Sequence, residues 1–280
     1  MAEITAQLVK ELREATNVGM MDCKRALAET NGDKDAAIKL LRERGIAVAG
    51  KRAARAAKEG IVASALINDG KSGVMIEVNC ETDFVSRNEN FQAFVKDMLE
   101  KAKTVKGDLA EAVKDDVAVK IAEIGENIIV RRNVRFDLQG TGIIGTYIHM
   151  GGKVGVLLEM GFEKAETANN PVCAETVKDI TLHIAASAPQ YLNSSEIPAD
   201  VIASERAIFA KQVENKPPQI IEKIVDGKIA KFYSTVCLVD QPFVKDGDFT
   251  VTKWLEKQSK EIGDTLTIRR FALYKLGEEA

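Results

Sequence analysis

"GIVASALINDGKSGVMIEVN" (residues 60–79) and "GIIGTYIHMGGKVGVLLEMG" (residues 142–161) are one design written twice. Sliding the chain by 82 residues without a gap keeps them in step. Of the 38 pairs from Gly60 to Asp97, 12 are identical, including Lys71/Lys153, Gly73/Gly155, Val74/Val156 and Glu77/Glu159. Chance does not hold register that long, so an internal repeat is assigned. Each copy reads as a β-hairpin with a Gly-containing turn, then a loop, then a helix. The helices are "NFQAFVKDMLEKA" (90–102) and "CAETVKDITLHIAA" (173–186). Each copy ends in a later strand, "ENIIVRRNVRF" (126–136) or "LTIRRFALYKL" (266–276). The expected class is α+β: two similar subdomains with antiparallel sheets, over 60–140 and over 141–190 plus 233–280.

Outward from the repeat, residues 1–46 read as a small three-helix bundle. Thr5 is expected to cap a helix carrying Leu8, Val9 and Leu12 on one face, which "TNVGMM" breaks. Asp22 is expected to cap a second, with Cys23, Ala26 and Leu27 inward, ended by Asn31-Gly32. Asp33 caps a third, with Ala37, Ile38 and Leu41 inward, and Gly45 is expected to close it. A unit this small has a marginal core and needs a neighbour or a partner. Residues 47–59 are Ala-rich and basic and read as a linker. Lys51, Arg52, Arg55 and Lys58 could touch phosphates, although a solvated connector is the default. Residues 191–232 read as an inserted αα-hairpin, an antiparallel coiled coil turned at "NKPP". It suits a homodimer contact, a partner contact or a spacer equally.

The bulk numbers exclude several classes. The chain has 280 residues, 45% hydrophobic and 29% charged, with net charge -3 and pI about 5.7. That composition is globular and carries no overall nucleic-acid footprint. Cys23, Cys80, Cys173 and Cys237 form no C-x-x-C pair, so neither zinc nor a disulfide scaffold is expected, and a reducing cytoplasm fits. The N-terminus lacks the apolar core of a secretory signal, and no run of about 18 apolar residues could span a membrane. No P-loop, G-x-G-x-x-G or nucleophile elbow occurs, so the chain itself should bind no nucleotide, cofactor or metal.

The repeat also acts as an internal control. Thr82-Asp83-Phe84-Val85, where the second strand leaves the core, falls on Lys164-Ala165-Glu166-Thr167 in the other copy. The frame is built twice and the Asp-Phe corner once. Phe84 either plugs the local core or projects as an interface aromatic with few rotors to freeze. A hydrolase centred on Asp83 would need a second carboxylate, a nucleophile, a histidine or a metal in reach. Glu81 would point the other way along a strand, and neither His149 nor His183 completes a site.

"LREATNVGMMDCKRAL" (12–27) together with "EVNCETDFVSRNENF" (77–91) resembles the bacterial elongation factor Ts family, with "IGEN" (124–127) and "QPFV" (241–244) as further motifs. The resemblance covers nearly the whole chain in order. It implies a non-enzymatic guanine-nucleotide exchange factor for elongation factor Tu, binding its GDP-bound and nucleotide-free forms. It also implies an N-terminal bundle similar to ubiquitin-associated domains. By this resemblance Thr82, Asp83, Phe84 and Val85 would displace Mg²⁺ in the partner. Arg13, Met20, Met21, Ile124, Gly125 and His149 would touch the GTPase domain, and Gln241, Pro242, Phe243 and Val244 a β-barrel domain. Some members of the family continue with a further helix after the segment matching "RFALYKLGEEA". The rival reading is a ubiquitin-associated-like adaptor or an RNA-binding scaffold using the basic linker.

Overall fold

The computed structural model describes residues 4–16, 18–215 and 217–278. Asn17 of the expected first break, Lys216 of the expected "NKPP" turn, and residues 1–3 and 279–280 lie outside the described residues. The chain opens with α1 (Ala6–Thr16), α2 (Met20–Glu29) and α3 (Lys34–Arg52). Val9 and Leu12 of α1 close on Cys23, Ala26 and Leu27 of α2 and on Ala37 and Leu41 of α3. The Thr5 hydroxyl accepts from the Leu8 N–H at 3.2 Å, and the Asp33 carboxylate caps α3 by accepting from Ala36 N–H at 3.0 Å. Asn31 and Gly32 take φ of 53° and 84°, and Gly32 N–H returns to the Leu27 carbonyl at 2.8 Å, ending α2.

Two expectations are corrected here. Asp22 does not cap α2, which starts at Met20 behind Gly19. Asp22 sits in its first turn, paired with Arg25, where a carboxylate favours the positive helix end. Gly45 does not close α3, which runs on to Arg52. A Cβ at residue 45 would stand 3.4 Å from the Ala118 carbonyl oxygen and the Ala122 Cβ. A methyl would only just touch the later helix at residues 114–124, so Gly45 sits inside α3 without ending it, and the first half of the expected linker is helix.

The first copy comprises β1 (Glu59–Ile67), β2 (Ser72–Cys80), α4 (Asp83–Ser86), α5 (Glu89–Ala102), α6 (Leu109–Ala112), α7 (Lys114–Ile124) and β3 (Ile128–Asp137). Its sheet is antiparallel in the order β1-β2-β3. The second copy holds β4 (Gly142–His149), β5 (Val154–Gly161), a 3₁₀ turn over Ala165–Asn169 and α8 (Pro171–Ser187). Then come the hairpin helices α9 (Ala199–Lys211) and α10 (Pro218–Val236), a small ribbon of β6 (Pro242–Phe243) and β7 (Asp246–Thr250), α11 (Val251–Ile262) and β8 (Thr267–Lys275). The second sheet has the order β4-β5-β8. Even the irregularities repeat: the ladder slips at Glu77/Val78 in one sheet and at Glu159/Met160 in the other. α9 and α10 form the expected helical hairpin, tied by Arg206 and Asp226 at 2.7 Å, and α10 runs past residue 232 to Val236.

Each sheet has a helix behind it. Phe91, Phe94, Val95 and Met98 of α5 cover Val74, Ile76 and Val78. Cys173, Val177, Ile180 and Ile184 of α8 cover Val156, Leu158 and Met160. The remaining faces meet each other about an approximate twofold axis. Val62, Met75 and Phe136 pack on Ile144 and Leu157, and the Thr146 hydroxyl donates to that of its repeat partner Ser64 at 2.5 Å. Gly73 and Gly155 permit the approach, since a Cβ there would stand 2.7 Å from Leu157 Cδ1 or 2.5 Å from Val62 Cγ1. The buried Glu77 carboxylate receives Arg132 Nε at 2.7 Å, and Glu159 receives Arg270 Nε at 2.7 Å. Each guanidinium then stacks on the other copy's aromatic ring, Arg132 over Tyr274 at 4.1 Å and Arg270 over Phe136 at 4.2 Å. No helix among the described residues is long and apolar enough to cross a membrane.

Candidate functional site

β2 is buried along its whole length and ends at Cys80, where the chain must turn out of the core. Thr82 is extended (φ -123°, ψ 155°), and its hydroxyl accepts from Val85 N–H at 3.3 Å, capping the single turn of α4. The four side chains of that turn divide by direction. Val85 packs against the α5 core and Ser86 is buried, which fixes the turn. Phe84 is 81% exposed, so the core-plug reading is overturned. Asp83 pairs with Arg87 at 3.0 Å along the turn. Glu81 faces Asn127 and Arg55, so the two carboxylates have separate partners.

Beneath the corner is a two-way clasp. The Glu126 carboxylate accepts from Glu81 N–H at 3.1 Å, Thr82 N–H at 3.0 Å and the Thr82 hydroxyl at 2.7 Å. In return the Glu81 carboxylate accepts from Asn127 N–H at 2.7 Å, with Arg55 at 3.5 Å. Asn127 also donates to the Arg55 carbonyl at 2.8 Å. The Cys80 thiol donates to the Thr82 carbonyl at 3.2 Å. Burial, and next the charge of Glu126, push that thiol up to about 12, so it stays protonated and a donor.

The second copy builds the accepting half of the clasp without the aromatic. Asp264 accepts from Glu163 N–H at 3.2 Å, Lys164 N–H at 3.0 Å and the Thr167 hydroxyl at 2.5 Å. The Thr167 hydroxyl first, and then the backbone N–H groups, hold its carboxyl down at about 2. Glu166 stands where Phe84 stands in the first copy. A carboxylate accepting the two consecutive amides that leave the strand is thus common to both corners, and the projecting ring belongs to one.

The other expected residues fall into three groups. Gly125 ends α7 in the left-handed region (φ 87°), and Ile124 before it is half-buried on the α5 core; Glu126 follows directly, so this segment and the corner are one structure. His149 is exposed at the β4–β5 tip, 2.9 Å from the Tyr147 hydroxyl. That tip adjoins the base of the corner, because Lys153 pairs with Glu59 at 2.7 Å and Glu59 lies opposite Cys80 in the ladder. On the bundle, Arg13 is exposed, as are Met20 and Met21 at 54% and 64%.

The 241–244 segment needs correction. Gln241 and Phe243 are buried and cannot meet a partner as side chains, whereas Pro242 and Val244 are exposed. Phe243 stacks on Trp254 with centroids 4.2 Å apart. Gln241 Oε1 lies 3.0 Å from His183 Nε2, and Val244 N–H donates to His183 Nδ1 at 3.1 Å. The imidazole therefore donates through Nε2 and accepts through Nδ1, and burial lowers its pKa. The sequence reading missed Ile148 and Met150, exposed on either side of His149, with Met150 at φ 49°. A methionine entering a Gly-Gly hairpin turn was the available signal. Among the described residues no group of three or more His, Cys, Asp or Glu side chains could hold a metal ion.

Comparison with known proteins fits this geometry. The family model described as elongation factor TS matches residues 81–278. The chain belongs to the elongation factor Ts family. Elongation factor Ts of Trichlorobacter lovleyi is 44% identical over 290 residues, covering 98% of this chain and 93% of its own. That of Bdellovibrio bacteriovorus is 45% identical, covering 98% and 92%, and that of Nitratidesulfovibrio vulgaris 42%, covering 99% and 97%. The family match begins at Glu81, the first residue of the corner, and the family places the chain among the translation elongation factors.

Proposed function

We propose that this chain is a guanine-nucleotide exchange factor for elongation factor Tu and acts by inserting the Asp83-Phe84 corner between helices of the GTPase domain. The observation that carries the reading is Phe84: a large ring, almost fully exposed, on a turn pinned from beneath. Mg²⁺ bridges phosphate oxygens and offsets their charge, so shifting its site weakens nucleotide binding without any bond being made or broken. On this reading the protein is not an enzyme in the bond-making sense. The coupling is reciprocal, and nucleotide expels the factor as strongly as the factor expels nucleotide.

Magnitude decides that the ring does not act alone. Raising the release rate by about 10⁴ means lowering the barrier by roughly 5.5 kcal/mol, whereas a strong interface residue supplies about 2–4 kcal/mol. The remainder is assigned to the Ile124–Gly125 segment, the tip carrying His149, and a bundle resembling ubiquitin-associated domains that docks through Arg13, Met20 and Met21. Pro242 and Val244 present the second core to the partner's β-barrel domain, and the α9–α10 hairpin is read as an inserted coiled coil. The working units are 1–46, a connector at 47–59 whose first half prolongs α3, 60–140, 141–190 with 233–280, and 191–232, whose second helix ends just beyond at Val236. Release of fluorescent GDP from purified elongation factor Tu tests the reading. Acceleration at substoichiometric amounts is expected, and an unchanged release rate overturns it.

A further inference from the structure

We infer that Glu126 is a positioning residue for exchange: its carboxylate sets the angle at which the corner presents Phe84. The inference rests on the exchange reading for its functional half and on geometry alone for its structural half. Val85 and Ser86 fix the turn on its inner side, and residues 81–82, through which the turn joins β2, lie beyond the strand ladder, where the Cys80 thiol holds the Thr82 carbonyl and Asn127 holds the Glu81 side chain. Glu126 alone ties their two backbone N–H groups, with three hydrogen bonds from two consecutive residues. Bonds to an ionised acceptor are the stronger kind, and three on one carboxylate leave it little room to turn. Gly125 makes the approach possible. Its left-handed conformation (φ 87°) reverses the chain directly after α7 and brings residue 126 beneath the corner. The repeat separates presentation from folding, since Asp264 makes the equivalent bonds to residues 163 and 164 where no ring projects. A wedge must arrive rigid to spend its contact energy on its host rather than on its own ordering.

Five variants of the full chain test this. In Glu126→Ala the amides of residues 81–86 should lose hydrogen-exchange protection. Asp264→Ala should instead open residues 163–168 and leave the first corner closed. Against elongation factor Tu carrying fluorescent GDP, Glu126→Ala should slow release by about tenfold, the size expected for losing a charged hydrogen-bond acceptor. Glu126→Gln, which keeps one acceptor oxygen, should lose less, and it serves if the alanine variant folds poorly. Adding Glu126→Ala to Phe84→Ala should cost less than about twofold more, because the carboxylate acts through the ring. The inference is overturned if the 81–86 amides stay protected in Glu126→Ala. It is equally overturned if that change slows the Phe84→Ala protein as much as it slows the parent. Should the parent itself leave GDP release unchanged, the exchange reading fails instead, and the amide pattern still decides whether Glu126 holds the corner.

Discussion

Phe84 exposes most of a benzyl group to water, and nothing in the fold asks it to. Truncating it removes almost no buried area. Phe84→Ala should therefore leave folding stability within about 0.5 kcal/mol, as read by thermal unfolding, while fluorescent-GDP release slows by about 30-fold or more, the scale of an interface anchor. A large fall in the unfolding midpoint would return the ring to a structural role. Two buried titratable side chains make pH a second probe. Asp264 is held at about 2 against an ordinary 3.8, so its contribution is present above the ordinary value and is lost as pH falls through it toward about 2. Asp264→Asn should flatten the acid limb of an unfolding-midpoint profile in that window. His183 runs the other way in chemistry and the same way in sign. Its pKa is lowered from 6.5 by burial, so the unfolded chain binds the extra proton and stability falls as pH drops below 6.5. Protonating Nδ1 would also set two donors, the imidazolium and Val244 N–H, against each other.

At the scale of elements, glycine placement decides who can approach whom. Gly155→Ala would set a methyl 2.5 Å from Val62 Cγ1 and 2.8 Å from Met75 Sδ, between two sheets that cannot part independently. It should cost about 1–3 kcal/mol in denaturant unfolding. The repeat made these sheets readable in advance, because hairpin, helix and closing strand recur at fixed spacing and the pattern needs no partner to interpret it. The close of α3 was not readable. Gly45 looked like a stop, yet α3 runs through it with α7 packed alongside, a neighbour far down the chain that the local sequence does not announce. The corner was legible as an oddity, since the second copy does without it. That Gln241 and Phe243 face inward was not, because the reason is His183, 58 residues upstream of Gln241, and Trp254 across the small ribbon, adjacent only in space. Glu126 was visible only as a letter in a motif; its partners are 44 and 45 residues upstream.

For the molecule as a whole, the crossed guanidinium groups predict cooperativity. Arg132→Ala would strip the buried Glu77 of its charge partner and Tyr274 of its stacking partner at once. Leaving a buried charge unpaired costs about 3–5 kcal/mol. Because the stacking half of that contact lies in the other copy, both sheets should unfold in one calorimetric transition at a lower temperature. Two separate transitions would show that the copies are stable alone. The mutual grip has a further implication. Everything one copy asks of its neighbour, a glycine to approach, a ring to lie under an arginine, a hydroxyl on the axis, the copy also carries itself. A severed half would therefore recognise its own twin, and a single-copy progenitor could have existed as a pair of identical chains before fusion freed one corner to change while its counterpart stayed plain.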